Sequence, residues 1–63
     1  MESKIKKIIY HYYKDQPVEV RDVKLLSESP DLGITCLRWR TDTETVTVKA
    51  IEQQGSLIIN KIS

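Results

Sequence analysis

Residue types that carry out nucleophilic, acid–base or metal chemistry are scarce in this chain, which has one histidine, His11, and one cysteine, Cys36. A thiol beside an imidazole could form a nucleophile with its general base. However, the sequence sets no acid or further ligand beside either residue, and a structural zinc site needs about four ligands of this kind. We therefore expect His11 to be an exposed helix residue and Cys36 a small apolar one, with no cofactor, metal or catalytic site.

Arg38 and Arg40 flank Trp39, and this pattern resembles a surface for single-stranded nucleic acid. Such a surface neutralises phosphates with cations and stacks bases on aromatic rings. Successive side chains of a strand point to opposite faces, so Trp39 must lie on the face away from both arginines. We therefore expect a core tryptophan and two solvated arginines, which remain usable for binding.

A second basic group recurs at the spacing of one helix side, and it consists of Lys4, Lys7, His11 and Lys14. Such a stripe could follow phosphates, although it is also typical of the solvated face of an amphipathic helix. The formal net charge of +1 is lower than is usual for a dedicated duplex-DNA binder. A nucleic-acid site would therefore use Arg38, Arg40 and Lys49 together with Lys4, Lys7 and Lys14.

The elements that position these side chains are indicated by a change of hydrophobic period at Pro17. Before it, apolar residues recur at i, i+3, i+4, i+7 and i+8, namely Ile5, Ile8, Ile9, Tyr12 and Tyr13. This spacing predicts an amphipathic helix over residues 4–15, with Ser3 as its N-cap and Lys14 in its last turn. Asp15 and Gln16 then lead to Pro17, which is expected as the first residue of a strand.

After Pro17 the spacing predicts four strands, at residues 18–26, 34–40, 45–52 and 57–62. The turns between them are expected at residues 27–31, 41–44 and 54–55, and Gly55 supplies the positive φ of a tight hairpin. The expected fold is α+β, with an N-terminal helix packed on a four-stranded antiparallel β-meander (αββββ). Because 63 residues form one small core, residues 1–63 are expected to be a single domain.

The turn positions fix a register that can be tested, because a slip of one residue would move every side chain to the other face. If residues 42 and 43 centre the second turn, Trp39 lies opposite Val46, Leu37 opposite Val48 and Thr35 opposite Ala50. The third turn then pairs Ala50 with Ile59 and Glu52 with Leu57. We expect this face to be the core, with the helix packed over it.

The same register places Ile34, Ile51 and Ile58 in a row on the opposite face, with Ile62 and Cys36 nearby. Arg38, Arg40 and Lys49 form a charged rim beside this row. The first strand is expected to add Val18, Val20 and Leu26 to this face and to place Asp22 opposite Arg38, with a bulge on the way. One helix cannot cover both faces, so either a partner covers the second face or strong curvature turns it into an interior.

The expected function is that of a small non-catalytic binding module, an adaptor, regulator or inhibitor that acts through protein contacts and self-associates through the sheet face. Its interface would centre on Ile34, Ile51, Ile58 and Ile62. No membrane partner and no small-molecule substrate are expected, because no apolar run is long enough to span a bilayer and no motif for such a substrate is present. A single cysteine and the lack of a signal-peptide apolar region favour the cytoplasm. Binding of single-stranded nucleic acid is the alternative.

Overall fold

One helix and one antiparallel sheet make up the structure, a computed structural model that describes residues 2–14 and 16–63, with the backbone alone for residues 2 and 3. The helix, α1, spans Glu2–Tyr13. The strands are β1 (Arg21–Ser29), β2 (Ile34–Arg40), β3 (Thr45–Gln53) and β4 (Ser56–Lys61), and a 3-10 turn over Pro30–Leu32 joins β1 to β2. The strands lie side by side in chain order. The α+β layout expected from the sequence, αββββ, is confirmed.

Helix α1 packs its predicted apolar stripe on the sheet, with Ile8 buried and the other stripe residues partly buried against the core. Its bounds differ from the predicted residues 4–15. It begins at Glu2, so Ser3 lies within the first turn and not at the N-cap. It ends at Tyr13 because Lys14 takes a left-handed conformation (φ 48°) and donates its N–H to the carbonyl of Tyr10 at 2.8 Å. Asp15 lies outside the described residues.

The register predicted for β2, β3 and β4 is confirmed at every pair. Trp39 is opposite Val46, Leu37 opposite Val48 and Thr35 opposite Ala50, while β4 brings Ile59 to Ala50 and Leu57 to Glu52. The six β2 and β3 residues of this face are all buried, and together with Ile8 they form the core, whose members are Ile8, Thr35, Leu37, Trp39, Val46, Val48 and Ala50.

Trp39 lies at the centre of this core and is 0% exposed. Its indole N–H donates a hydrogen bond to the Tyr13 hydroxyl at 3.0 Å, so the one polar group of the ring is satisfied. The ring of Tyr12 meets it edge-on at a centroid distance of 5.4 Å. Trp39 is therefore a core residue, as the strand alternation predicts, and its ring is not available to stack on a base.

Two hairpins fix the register of the last three strands. In the first hairpin, the Thr41 hydroxyl accepts hydrogen bonds from the N–H groups of Thr43 and Glu44. The backbone N–H of Thr41 donates to the Glu44 carbonyl at 2.8 Å. In the second, Gln54 and Gly55 both have positive φ, at 49° and 80°, as a two-residue type I′ turn requires. Both predicted turns are therefore present.

The first strand departs most from its prediction, since β1 runs over Arg21–Ser29 and not over residues 18–26. Residues 16–20 are irregular, so Pro17 does not begin a strand. The pairing of β1 with β2 shifts by one residue between Arg21 and Lys24 and again between Leu25 and Ser27. The expected bulge is therefore present twice, and Asp22, with a φ of 54°, lies in the first one.

The structure differs from four expectations about the first strand. Val20 packs against the core and not on the second sheet face, because residues 16–20 pass over the helix side. Val18 lies beside α1 for the same reason, and Leu26 is the extra residue of the second bulge. The residue opposite Arg38 is Lys24 and not Asp22, whose carboxylate instead contacts the Arg40 guanidinium at 3.3 Å.

Candidate interaction surface

The sheet has one face that no described element covers, and we call it the open face. Because directly paired residues share a face, its members can be read from the register as four rows across the strands. From one end to the other these rows are Arg21, Arg40 and Thr45; Lys24, Arg38 and Thr47; Ser27, Cys36, Lys49 and Asn60; and Ser29, Ile34, Ile51 and Ile58. The open face thus passes from a cationic end to an apolar end.

The apolar end is the predicted isoleucine row. Ile34 pairs with Ile51, and Ile51 pairs with Ile58. Ile34 and Ile51 are half-buried, whereas Ile58 on the edge strand is 56% exposed. Ile34 and Ile51 are therefore partly shielded, while Ile58 stays accessible from the open face.

Ile62 is separate from this row. It follows the end of β4 and donates its N–H to the Thr47 carbonyl at 2.7 Å, which places it near the cationic end. It is four residues from Ile58, about 13 Å along a strand. The structure therefore brings together Ile34, Ile51 and Ile58 of the predicted apolar centre and leaves Ile62, itself well exposed, outside it.

The cationic end holds Arg38 and Arg40, as predicted, together with Arg21 and Lys24 of β1, which the sequence did not indicate. Arg21 forms an ion pair with Asp42 at 2.8 Å, and Arg40 forms one with Asp22. Lys49 lies one row further along, half-buried between Cys36 and Asn60. Within residues 4–14 and 16–63, no carboxylate forms an ion pair with Lys24, Arg38 or Lys49.

The helix lysines named for nucleic-acid binding lie on the other side of the sheet. Lys4 forms an ion pair with Glu28 at 3.2 Å, and Lys7 forms one with Glu52 at 2.7 Å. The hydrogen bond from Lys7 lowers the pKa of the Glu52 carboxyl below its ordinary value, and the Lys7 charge acts in the same direction. Lys14 is exposed beyond the end of α1. The six predicted cations thus fall on two surfaces, and three of them, Lys4, Lys7 and Arg40, are bound to carboxylates.

A groove that the sequence did not reveal runs between α1 and β1. It has a volume of about 460 Å³, and its apolar lining includes Ile9, Tyr13, Val18, Val20 and Val23. Sequence patterns do not predict this groove, because they begin the first strand at Val18 and place Val18 and Val20 on the opposite face. The groove lies along β1, which is an edge strand of the sheet.

His11 and Cys36 do not form a thiol–imidazole pair. Cys36 lies on the open face opposite Lys49, whereas His11 is exposed on α1, which covers the other face. In the described part of the chain, no group of three histidine, cysteine or acidic residues could hold a metal ion. Nor does any described helix have the length and apolar character needed to cross a membrane.

Comparison with protein-family models, with curated proteins and with solved structures finds no match to this chain.

Proposed function

We propose that this chain is a small binding module that acts without catalysis and contacts a protein partner through the open face. The observation that carries the proposal is the isoleucine row, three paired isoleucines on three neighbouring strands with no described element above them. Large apolar side chains gathered on one accessible surface are typical of interaction sites. The proposal includes a cytoplasmic location, based on the presence of one cysteine, which has no second cysteine in this sequence with which to form an intramolecular disulfide.

Single-stranded nucleic acid is a less favoured occupant of this face. Binding without sequence preference relies on aromatic rings that stack on bases. All four aromatic residues of the chain are on the helix side, where Tyr12, Tyr13 and Trp39 pack together and Tyr10 lies on α1. The open face offers cations to phosphates but no ring to the bases.

Selection of short random peptides displayed on phage tests the proposal directly. Peptides selected on the wild-type protein should lose binding to Ile58→Asp, because the substitution places a charge in the apolar row. Ile58 is preferred to Ile51 for this test since it is on an edge strand and more than half exposed. Circular dichroism of the variant checks that its fold is retained.

Val18→Asp is the matched control, since it places the same charge in the groove between α1 and β1. Peptides that bind the open face should tolerate it. The proposal fails if the selected peptides still bind Ile58→Asp, and loss of binding to Val18→Asp alone would assign the interaction to the groove instead.

A further inference from the structure

Two pairs of like charges face each other directly across β1 and β2. Arg21 is opposite Arg40, and Lys24 is opposite Arg38. Like charges on directly opposite residues of neighbouring strands destabilise a sheet, because their side chains project close together from the same face. Asp42 and Asp22 offset the first pair by binding Arg21 and Arg40. The second pair, Lys24 and Arg38, has no carboxylate of its own among the described residues.

The carboxylates that could relieve this second pair are held on the other side of the sheet. Glu28 is opposite the core residue Thr35 and binds Lys4, and Glu52 is opposite Leu57 and binds Lys7. Lys61, opposite Val48, is bound to Glu44. Three lysines on the helix side thus have glutamate partners, while Lys24 and Arg38 on the open face have no carboxylate partner among the described residues.

The first bulge of β1 places these cations around a depression in the surface. Where the strand bends at Asp22, a depression of about 480 Å³ opens beside β2, and it is lined by Asp22, Val23, Lys24, Arg38, Arg40 and Thr45. The one carboxylate of this lining, that of Asp22, is bound to Arg40. Two of its three cations have no carboxylate among the described residues. From the Arg38 row to the isoleucine row is four residues along β2, or about 13 Å. An extended segment of a few residues can therefore reach both.

We infer that the open face recognises an acidic protein segment, whose carboxylates enter the depression beside Lys24 and Arg38 while its aliphatic side chains lie on the isoleucine row. This inference rests on the proposed function, and it names the chemistry of the partner. Guanidinium groups bind carboxylates in a two-point geometry that fixes orientation as well as affinity. A second copy of the chain is a poorer occupant of the depression, because it would bring its own cationic end to this face.

The test is an NMR titration of the isotope-labelled protein, at low salt, with a short synthetic peptide that has glutamates at one end and leucines at the other. A second peptide with glutamine in place of glutamate is the uncharged comparison. An oligothymidylate tests whether the depression prefers phosphate groups to carboxylates. Two protein variants complete the set. Arg38→Gln removes a cation of the depression, and Lys6→Gln removes an exposed cation from α1.

The glutamate peptide should shift the amide signals of Lys24, Arg38 and Ile51, and it should bind about tenfold more tightly than the glutamine peptide. Arg38→Gln should weaken it by about three- to tenfold, whereas Lys6→Gln should change its affinity less than twofold. Agreement on all three supports an acidic protein segment as the partner.

Other results overturn the inference in ways that can be told apart. If both peptides bind the isoleucine row equally well, the open face is a docking site and the proposed function stands, but the open face does not select acidic segments. If neither peptide shifts any residue of the open face, the inference and the proposed function both fail. If oligothymidylate binds the depression more tightly than the glutamate peptide does, phosphate and not carboxylate is the ligand of this face.

Discussion

The hydrogen bond from the Trp39 indole to the Tyr13 hydroxyl joins the end of α1 to the centre of the sheet. Tyr13→Phe keeps the ring and removes the acceptor, so a fully buried N–H group loses its partner. We expect the free energy of unfolding to fall by about 1–2 kcal/mol, the usual cost of an unsatisfied buried donor. Urea denaturation followed by Trp39 fluorescence measures it.

Tyr12→Phe is the control for this prediction. Tyr12 also packs its ring edge-on against Trp39, but its hydroxyl does not bond to the indole. This variant should stay within about 0.5 kcal/mol of the wild type, as is usual for changes that break no specific contact. Equal losses in the two variants would show that ring packing, and not the hydrogen bond, carries the Tyr13 contribution.

The ion pair between Lys7 and Glu52 predicts an acid-sensitive contact between α1 and β3. The hydrogen bond from Lys7 lowers the pKa of Glu52 in the folded state. The ion pair therefore stabilises the fold above the unfolded-state pKa of Glu52, about 4.3. This stabilisation is lost as the pH falls through the lower folded-state pKa. Glu52→Gln should lose less stability than the wild type over this range.

Thermal unfolding followed by circular dichroism at a series of acidic pH values measures this difference. Glu19→Gln is the control, because it removes an exposed carboxylate that forms no ion pair with the described residues. It should follow the wild-type curve. Identical acid profiles for Glu52→Gln and the wild type would mean that the Lys7 contact does not contribute to folding in solution.

Among the elements, the connection from β1 to β2 depends on Gly33. It ends the 3-10 turn with a φ of 69°, its carbonyl accepts the N–H of Glu52 at 2.8 Å, and a β-carbon at this position would collide with the Glu52 carbonyl oxygen. Gly33→Ala adds this backbone collision to the strain of a positive φ. We expect a loss of about 3 kcal/mol in urea denaturation.

Gly55 offers the matched comparison, because it also has a positive φ but has open space where a β-carbon would be placed. Gly55→Ala should therefore cost only the conformational strain, about 1 kcal/mol. The difference between the two alanine variants isolates the contact with Glu52. If Gly55→Ala is as harmful as Gly33→Ala, the close approach of the two backbones is not what requires glycine.

How far the sequence predicts these elements depends on the turn that precedes each one. The last three strands follow turns whose residues define the register, and their faces are assigned correctly at every pair. In β1, by contrast, Asp22 and Leu26 lie in the two bulges that move the pairing, and neither bulge has a glycine to mark it. Alternation alone therefore assigns β1 residues to the wrong partners.

The same difference explains which parts of the candidate site the sequence could predict. The isoleucine row involves β2, β3 and β4, so it follows from the confirmed register. Lys24 and the depression at Asp22 depend on the first bulge. The separation of Lys4 and Lys7 from Arg38 follows from the packing of α1 on the core face, which the sequence predicts. Their ion pairs with glutamates are contacts distant in sequence, and such contacts leave no local pattern.

The whole molecule has two sides of different electrostatic character. On the helix side, lysines from α1 and β4 are bound to glutamates, and the aromatic cluster fills the core. On the open face, a cationic end stands beside an apolar end. The apolar row favours contact between two copies, whereas the cations oppose it. The balance between the two effects depends on salt.

Self-association through the open face should therefore be weak at low salt and become stronger as salt is added. At about 0.15 M salt charges are screened beyond about 8 Å, and at about 1 M beyond about 3 Å, so repulsion between the cationic ends fades while the isoleucine contact remains. Sedimentation equilibrium over a range of protein concentrations measures the dimer fraction. Three isoleucines on each copy cover much less than the ~800 Å² per partner of a typical stable interface, which is why we expect a weak dimer.

Two variants separate the contributions to this equilibrium. Arg38→Gln should strengthen association at low salt, because it removes an uncompensated cation, and Ile58→Asp should abolish association at any salt concentration. Binding of an acidic segment has the opposite salt dependence, since screening weakens attraction between unlike charges. A dimer that is tight at low salt and dissociates at high salt would mean that opposite charges, and not the isoleucine row, hold the two copies together.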